Sequence, residues 1–171
     1  MHSRKLKETK EGSLQLDTLI KAELAFLDII FHSDCKNYHA WSHKIWLVER
    51  FELWNDDSHL EFIEDMLDKD VRNNSVWSFR YFIMVQRFNH EANQKELKPV
   101  DYWKDEGHKF VENEAKYIIE KRLPDNWTNE AAWAYLRGFL ASTQQEEYQS
   151  LNSNARLIFI TRCEKLAETI D

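Results

Sequence analysis

The sequence predicts an all-α fold, a superhelix or solenoid of stacked helical hairpins. Composition is the first reason: the 171 residues include only three Gly and two Pro, and 31% are charged. Such a composition favours long helices over turn-rich sheets. The second reason is a cassette that occurs three times, at 37–44, 73–80 and 129–137. Repeated units of this kind indicate stacked helical repeats.

Each part of the cassette has a structural use. The asparagines that open the copies are Asn37, Asn73 and Asn129. An asparagine at a helix start can accept hydrogen bonds from the exposed first-turn N–H groups. Four residues later come Trp41, Trp77 and Trp133. A buried tryptophan can fill the gap between neighbouring hairpins. A basic residue follows three or four positions later, as Arg80 does in the second copy, and can reach acidic groups of a neighbouring repeat.

An acidic residue precedes each cassette asparagine. These residues are Asp34, Asp70 and Asp125. Their short polar side chains are typical of the turns that separate helices.

Four helices are predicted in the first half of the chain. Apolar residues at 14–31 recur at three- and four-residue steps, which is helix spacing. The polar pair at 33–34 ends that run, and the first cassette opens a helix over 37–51. After a turn with cap candidates, a short amphipathic helix covers 58–70, and the second cassette opens a helix over 73–88.

The second half is less regular. Residues 89–104 mix polar side chains with a proline and have weak periodicity, which predicts a long loop. A helical pattern resumes at Asp105 and stops at Pro124. The third cassette opens a helix over 129–142, and apolar residues at 157–167 predict a last helix.

The repeat spacing predicts the domain organisation. Successive cassette tryptophans are 36 and then 56 residues apart, and an insertion at 89–104 would account for the excess. One hairpin cannot bury its apolar face alone, so neighbouring hairpins must stack. We therefore expect a polar, disordered segment at 1–13 and a single helical-repeat domain at 14–171.

Charge, cysteine content and hydropathy argue against several classes of protein. The formal charge of −7 disfavours a nucleic-acid binder. Cys35 and Cys163 are too few and too far apart for a disulfide framework, which favours a reducing compartment. No run of residues is long and apolar enough to span a membrane. We therefore expect a cytoplasmic location.

The residues of the cassettes resemble those of a known protein family. The stretch at 34–43 reads Asp-Cys-Lys-Asn-Tyr-His-Ala-Trp-Ser-His, and 70–82 contains Asp-Val-Arg-Asn-Asn-Ser-Val-Trp. Both resemble consecutive repeats of the α subunit shared by protein farnesyltransferase and protein geranylgeranyltransferase type I. The stretch at 129–138 resembles the next repeat. The resemblance covers about residues 15–140.

The resemblance implies a right-handed crescent of hairpins that wraps around a β subunit. It implies an enzyme that is active only as this heterodimer. The reaction transfers farnesyl or geranylgeranyl from its diphosphate to the cysteine of a C-terminal CaaX motif. The isoprenoid diphosphate would lie at the subunit interface and CaaX proteins would be the substrates. Zinc would belong to the β subunit and magnesium to the complex, with no cofactor bound by this chain.

The resemblance also implies site residues. Asn37, Tyr38 and His39 map to the rim of the shared active site, near the diphosphate and the peptide. From the residues alone, Tyr38 either donates to such a ligand or bridges a buried interface and water. His39 and His43 are four residues apart and share a helix face, but no third ligand is evident, so no metal site is expected.

The chain also departs from the family pattern. Family members carry further repeats before the one that matches 37–44, and a lysine near the diphosphate belongs to a preceding Lys-Asn-Tyr repeat. No such repeat precedes Asn37 here, so Lys36 is not assigned that role and the chain is expected to be shortened at its N-terminus. Two alternatives stay open: the α subunit of the Rab-modifying geranylgeranyltransferase, and a non-catalytic helical-repeat binding module.

Overall fold

The computed structural model of the protein describes residues 10–124, 126 and 128–142. Within these residues every regular element is helical. The helices are α1 (Lys10–Ser33), α2 (Tyr38–Phe51), α3 (Ser58–Lys69), α4 (Asn74–Gln94), α5 (Pro99–Tyr117) and α6 (Glu130–Ser142). A 3₁₀ turn, Leu53–Asn55, follows α2, and a π-helical turn, Ile118–Arg122, follows α5. The all-α prediction is confirmed over the described part of the chain.

The chain divides into two compact units, Met1–Asn55 and Asp56–Asp171. In the first unit α1 packs against α2 as a helical hairpin. Phe31 and Trp41 meet in its core with ring centroids 4.1 Å apart. Leu27 and Val48 complete this core and are almost fully excluded from solvent.

In the second unit α4 is the central helix and packs against α3, α5 and α6. Its core is formed by apolar side chains from these helices and from the π-helical turn that follows α5. Those with at most 1% of their surface exposed include Ile63, Leu67, Val76, Trp77, Phe79, Ile83, Ile118, Leu123, Ala132 and Phe139. The apolar periodicity of the sequence identifies the buried faces only in part, because Leu14 and Leu19 of the helical pattern at 14–31 are 69% and 63% exposed.

The loop predicted at 89–104 is wrong, because helices cover most of it. α4 continues to Gln94 and α5 begins at Pro99, six residues before the predicted start at Asp105. Proline is well suited to the first turn of a helix, where its missing N–H is not needed. The polar character of this segment reflects helix surface, while Phe88 and Tyr102 pack at 4.7 Å between ring centroids and bury the inner face.

The turn between α4 and α5 is therefore short. Glu96 takes a left-handed backbone conformation, with φ of 55°. The N–H of Leu97 donates to the carbonyl of Ala92 at 3.0 Å. This combination is a helix C-terminal motif that satisfies carbonyls left free by the last turn. A compact motif of this kind replaces the expected loop, and the extra residues between the second and third cassettes lengthen the helices, α4 to 21 residues and α5 to 19.

The predicted polar N-terminus needs a second correction. α1 begins at Lys10, so residues 10–13 are helical and not disordered. The remainder of that segment, residues 1–9, and the last predicted helix at 157–167 lie outside the described residues. None of the described helices is long and apolar enough to cross a lipid bilayer.

Candidate functional site

The three cassette asparagines use one capping geometry. The side-chain oxygen accepts a backbone N–H two or three residues later, at 3.0 Å for Asn37, 3.0 Å for Asn73 and 3.2 Å for Asn129. Asn73 and Asn129 are fully buried. Each asparagine therefore satisfies first-turn donors that would otherwise lack a partner inside the protein.

In the first two copies, the cassette tryptophan is hydrogen-bonded to the turn that precedes its helix. The indole N–H of Trp41 donates to the carbonyl of Cys35 at 2.9 Å, and that of Trp77 to the carbonyl of Val71 at 2.8 Å. The side-chain amide of Asn129 donates to the same Val71 carbonyl at 2.8 Å. Trp133 in the third copy is only partly buried. Burial of the ring and the indole hydrogen bond together explain the choice of tryptophan over phenylalanine.

The acidic residue expected before each asparagine has a defined role in two copies. A side-chain oxygen of Asp34 accepts from the N–H of Lys36 at 3.3 Å, and one of Asp70 accepts from the N–H of Arg72 at 3.0 Å. Asp125 lies outside the described residues. The equivalent position, three residues before the cap, is Asn126, whose carbonyl accepts from the N–H of Asn129 at 3.0 Å.

The predicted rim residues lie at the start of α2. Tyr38 has 76% of its surface exposed, and His39 is also exposed. Their ring centroids are 5.5 Å apart in an edge-to-face arrangement. Asn37 differs from both, because its side-chain oxygen is engaged in capping α2. The first turn of α2 thus presents one phenol and one imidazole to solvent on a capped, fixed backbone.

The other histidine of the first cassette, His43, has a partner on α1. His43, one turn after His39, has its Nε2 atom 2.9 Å from a carboxylate oxygen of Glu23, and its ring stacks on Trp46 at 5.7 Å. Among the described residues no three His, Cys, Asp or Glu side chains are arranged to hold a metal ion. The donors present therefore do not fit zinc, which needs three or four protein ligands.

The basic residue of the first cassette is buried. Only 2% of the Lys44 side chain is exposed, and its ammonium donates to Asp28 at 2.9 Å. Burial lowers the pKa of Lys44, and the charge of Asp28 only partly opposes that effect. Lys44 therefore joins α2 to α1 inside the first unit and is not available to a ligand.

The second cassette repeats this pair with more partners. Arg80 lies 16 residues after Glu64, as Lys44 lies 16 after Asp28, and its guanidinium is 3.5 Å from a Glu64 oxygen. Arg80 also makes three hydrogen bonds of 3.0–3.1 Å with the buried carboxylate of Glu114. Its guanidinium carbon is 3.9 Å from the ring centroid of Tyr117. The third copy differs, since Arg137 pairs with Glu130 at the surface.

The π-helical turn completes this network. It is closed by a bond of 2.9 Å from the N–H of Leu123 to the carbonyl five residues earlier, at Ile118. Lys121 and Arg122 of this turn donate to Glu64, as does Tyr117, the last residue of α5. Burial acts to raise the pKa of Glu64, but these hydrogen bonds and the charge of Arg122 outweigh it and leave the pKa below its usual value.

The two tyrosines of the network stay neutral. Burial is the main cause that raises the pKa of Tyr117 to about 12. Burial, followed by the nearby charge of Glu114, raises the pKa of Tyr135 as well. Both hydroxyls donate to carboxylates, Tyr117 to Glu64 and Tyr135 to Glu114. Arg122 also donates to Asp68, which gives three carboxylates for the three cations of the network. This balance of charges is the arrangement of a structural cluster and not of a reactive site.

Sequence reasoning missed most of this cluster. The sequence predictions included Arg80 but assigned it no specific partner, whether Glu64, Glu114, Tyr117 or Tyr135. One signal was present in the sequence, because an acidic residue occurs 16 positions before the buried cation in both of the first two copies. Nothing in the sequence indicated the π turn, which depends on the tertiary contacts of its side chains.

A cleft of about 240 Å³ opens between α4 and α6. Trp77 and Tyr81 line it from α4, and Ala131, Tyr135 and Gly138 line it from α6. A Cβ atom on Gly138 would lie 3.0 Å from a ring carbon of Tyr81, so the glycine permits the close approach of that ring. The cleft is mainly apolar, which suits an apolar group and not a charged one.

Comparison with known proteins gives one consistent result. Residues 20–51 and 56–87 each match the model of the protein prenyltransferase alpha subunit repeat. The two matches are offset by 36 residues, which is the offset of the Asp28–Lys44 and Glu64–Arg80 pairs.

Curated relatives carry the same name in distant organisms. The chain is 35% identical to geranylgeranyl transferase type-2 subunit alpha of Mus musculus over 79 residues, which are 46% of this chain and 14% of that protein. It is 30% identical over 77 residues to the protein of that name in Dictyostelium discoideum, covering 45% of this chain and 24% of that protein. The match to the Saccharomyces cerevisiae protein is 25% over 126 residues, covering 70% of this chain and 34% of the relative. The chain thus matches about a third or less of each relative's length.

Proposed function

We propose that this chain, which contains two protein prenyltransferase alpha subunit repeats, acts as the α-subunit component of a heterodimeric protein prenyltransferase of the type-2 class. The observation that carries the proposal is the pair of consecutive repeats at 20–51 and 56–87, together with relatives that are all named type-2 alpha subunits. In this proposal the complex transfers geranylgeranyl from its diphosphate to cysteines of Rab proteins.

This proposal favours a different enzyme from the one that the cassette residues predict. The cassettes resemble the α subunit shared by farnesyltransferase and geranylgeranyltransferase type I, which favours CaaX proteins as substrates. The named relatives favour the alternative, the Rab-modifying enzyme. We keep the CaaX enzyme as the second candidate, because the Asp-Val-Arg-Asn-Asn-Ser-Val-Trp wording at 70–77 supports it.

The proposed division of labour follows from the chemistry of the described residues. We infer that zinc is held by the β subunit and magnesium by the assembled complex, as the resemblance to prenyltransferase α subunits implies. The contribution of this chain would be positional. Tyr38 can donate a hydrogen bond from its phenol, and His39 can donate from its ring, to an anionic diphosphate at the subunit interface. Both side chains are exposed at the start of α2 and accessible to a partner.

The choice of β subunit tests the proposal. The chain is co-expressed separately with the β subunits of the type-2 enzyme, of farnesyltransferase and of geranylgeranyltransferase type I. We expect a stable complex with the type-2 β subunit, and transfer of labelled geranylgeranyl to a Rab protein. A complex with a CaaX-type β subunit alone would select the second candidate. A folded chain that binds none of the three would leave the binding-module alternative and refute the prenyltransferase proposal.

Two substitutions then test the rim residues. Tyr38→Phe and His39→Ala should lower the transfer rate several-fold while leaving complex formation unchanged, because neither side chain supports the fold. Glu49→Ala is the matched control, since Glu49 is also exposed on α2 but lies about 15 Å further along the helix. Equal rates for all three variants and the wild type would remove Tyr38 and His39 from the site. Asn37→Ala is less informative, because it also removes the helix cap.

A further inference from the structure

Trp41 connects the core of the first unit to the turn that carries Tyr38 and His39. Its ring is 5% exposed and lies against Phe31 of α1, with the two ring centroids 4.1 Å apart. The indole N–H donates to the carbonyl of Cys35 at 2.9 Å. Cys35 lies three residues before Tyr38. One side chain therefore joins a buried point on α1 to the turn that precedes α2.

Hydrogen bonds within the turn set its shape. The N–H of Asn37 donates to the carbonyl of Asp34 at 3.2 Å, and the N–H of Trp41 donates to the carbonyl of Asn37 at 3.1 Å. The side chain of Asn37 caps the first turn of α2. These bonds join residues of the turn and of the helix start to one another. The Trp41 ring adds a contact to α1 through Phe31, so the indole bond sets where the turn lies on the core.

Tyr38 and His39 take their positions from this turn. Both side chains are exposed, and their rings contact each other at 5.5 Å between centroids. An exposed side chain has little packing of its own, so its position depends on the backbone from which it projects. Groups that bind a reacting ligand must be held to within about 0.5 Å, and a misplacement of about 1 Å can lower a rate about 100-fold. A fixed turn is therefore a requirement for the proposed role of both residues.

We propose that Trp41 is a positioning residue for Tyr38 and His39, and that it acts through its indole N–H as well as through its buried ring. This inference rests on the proposed function, because it requires that Tyr38 and His39 contact the diphosphate. A phenylalanine ring would fill part of the same core but has no donor for the Cys35 carbonyl. The N–H is therefore the group that couples the packing of the core to the position of the rim residues.

The second cassette provides an internal control. The indole N–H of Trp77 donates to the carbonyl of Val71 at 2.8 Å, six residues earlier, as in the first copy. Asn74 and not a tyrosine follows the cassette asparagine there. Trp77 belongs to the second unit, whereas Tyr38 and His39 belong to the first. Trp77→Phe therefore removes the same kind of hydrogen bond from a turn that does not carry the rim residues.

Amide hydrogen exchange of the full chain tests the local part of the proposal without an enzyme assay. The amides of Asn37 and Trp41 are hydrogen-bonded in the turn and report its opening. Trp41→Phe should raise their exchange rates about two- to tenfold, the effect of losing one neutral hydrogen bond. Benzothienylalanine at position 41 keeps the shape of the ring and has sulfur in place of the N–H, so it should have the same effect. Unchanged exchange with this isostere would overturn the proposal.

Transfer rates of the αβ complex, measured well below the Tm of every variant, test the functional part. Trp41→Phe should lower kcat several-fold, at most as far as the loss of both rim side chains does. Trp77→Phe and Val48→Ala should leave kcat nearly unchanged, since Val48 is a fully buried core residue further along α2 and its truncation lowers the stability of the same unit.

A combined variant separates positioning from general destabilisation. In a chain that already carries Tyr38→Phe and His39→Ala, Trp41→Phe should cause no further loss of kcat, because it acts through those two side chains. A further loss of the same size in that background would overturn the proposal, as would an active wild type whose kcat Trp41→Phe does not change. A wild-type chain that gives no transfer with any β subunit would instead refute the proposed function, and this inference with it.

Discussion

The buried pair of Arg80 and Glu114 offers the sharpest test of how the second unit is stabilised. Only 6% of the Arg80 side chain and 7% of the Glu114 side chain are exposed. Arg80→Met keeps most of the volume and removes the charge. The variant leaves the Glu114 carboxylate buried with the Tyr135 hydroxyl but without its counter-ion. Removing one partner of a buried ion pair costs about 3–5 kcal/mol.

The expected loss is large enough to measure by thermal unfolding. For a chain of this size each kcal/mol lowers Tm by roughly 2–4 °C, so Arg80→Met should lower it by about 6–20 °C. Circular dichroism at 222 nm follows the helices, and urea unfolding gives the free energy directly. Arg137→Met is the matched control. Its pair with Glu130 is largely exposed, with 58% and 80% of the side chains open, and surface pairs contribute about 0–1 kcal/mol.

A double substitution separates two explanations of that loss. Replacing both groups, as in Arg80→Met with Glu114→Leu, removes the uncompensated charge together with the pair. Apolar replacements of a buried ion pair are often nearly neutral, so the double variant should recover a large part of the stability lost in Arg80→Met. The reasoning is refuted if Arg80→Met costs less than about 1 kcal/mol, or if the double variant is as unstable as the sum of its two single variants.

Three further predictions concern the cassette and the charge network. Trp77→Ala should cost about 3–5 kcal/mol in urea unfolding, because the ring is 1% exposed, and a cost under about 1 kcal/mol would contradict its core role. Asn73→Ala should cost about 1–2 kcal/mol and Asn73→Ser much less, since only serine keeps the cap. The low pKa of Glu64 stabilises the fold above the unfolded carboxyl pKa, about 4.3, and this contribution is lost as pH falls through the folded pKa. Glu64→Gln should therefore be less stable than wild type at pH 7, and the gap should close in acid-unfolding curves; a pH-independent gap would refute the assignment.

The sequence predicted the helices well where apolar spacing was the only signal needed. The hairpin at α1 and α2, the helix of the second cassette and the helix at 130–142 all follow from residues that repeat every three or four positions. The prediction of a loop at 89–104 was wrong for a physical reason. Its helices bury only a narrow strip that includes Phe88, Ala92 and Tyr102. Most of the remaining side chains are polar surface, so the periodic signal is weak although the backbone is helical.

The charge network shows a different limit of sequence reasoning. The Asp28–Lys44 and Glu64–Arg80 pairs can be inferred from their common 16-residue spacing once the repeat is recognised. Glu114 lies 34 residues from Arg80, and nothing in its local sequence distinguishes it from the other acidic residues of α5. It is selected by the packing of α5 against α4. Tertiary contacts therefore decide which of many similar carboxylates becomes the buried partner.

The repeated cassette separates residues that build the fold from residues that are free to vary. In each copy the asparagine caps the helix, and in the first two copies the indole N–H of the tryptophan holds the preceding turn. The position directly after each asparagine is exposed in all three copies and differs among them: Tyr38, Asn74 and Glu130. These side chains do not determine whether the turn forms. The residue at that position can therefore change at little cost in stability. In the first repeat we expect this position, Tyr38, to have a role in ligand binding.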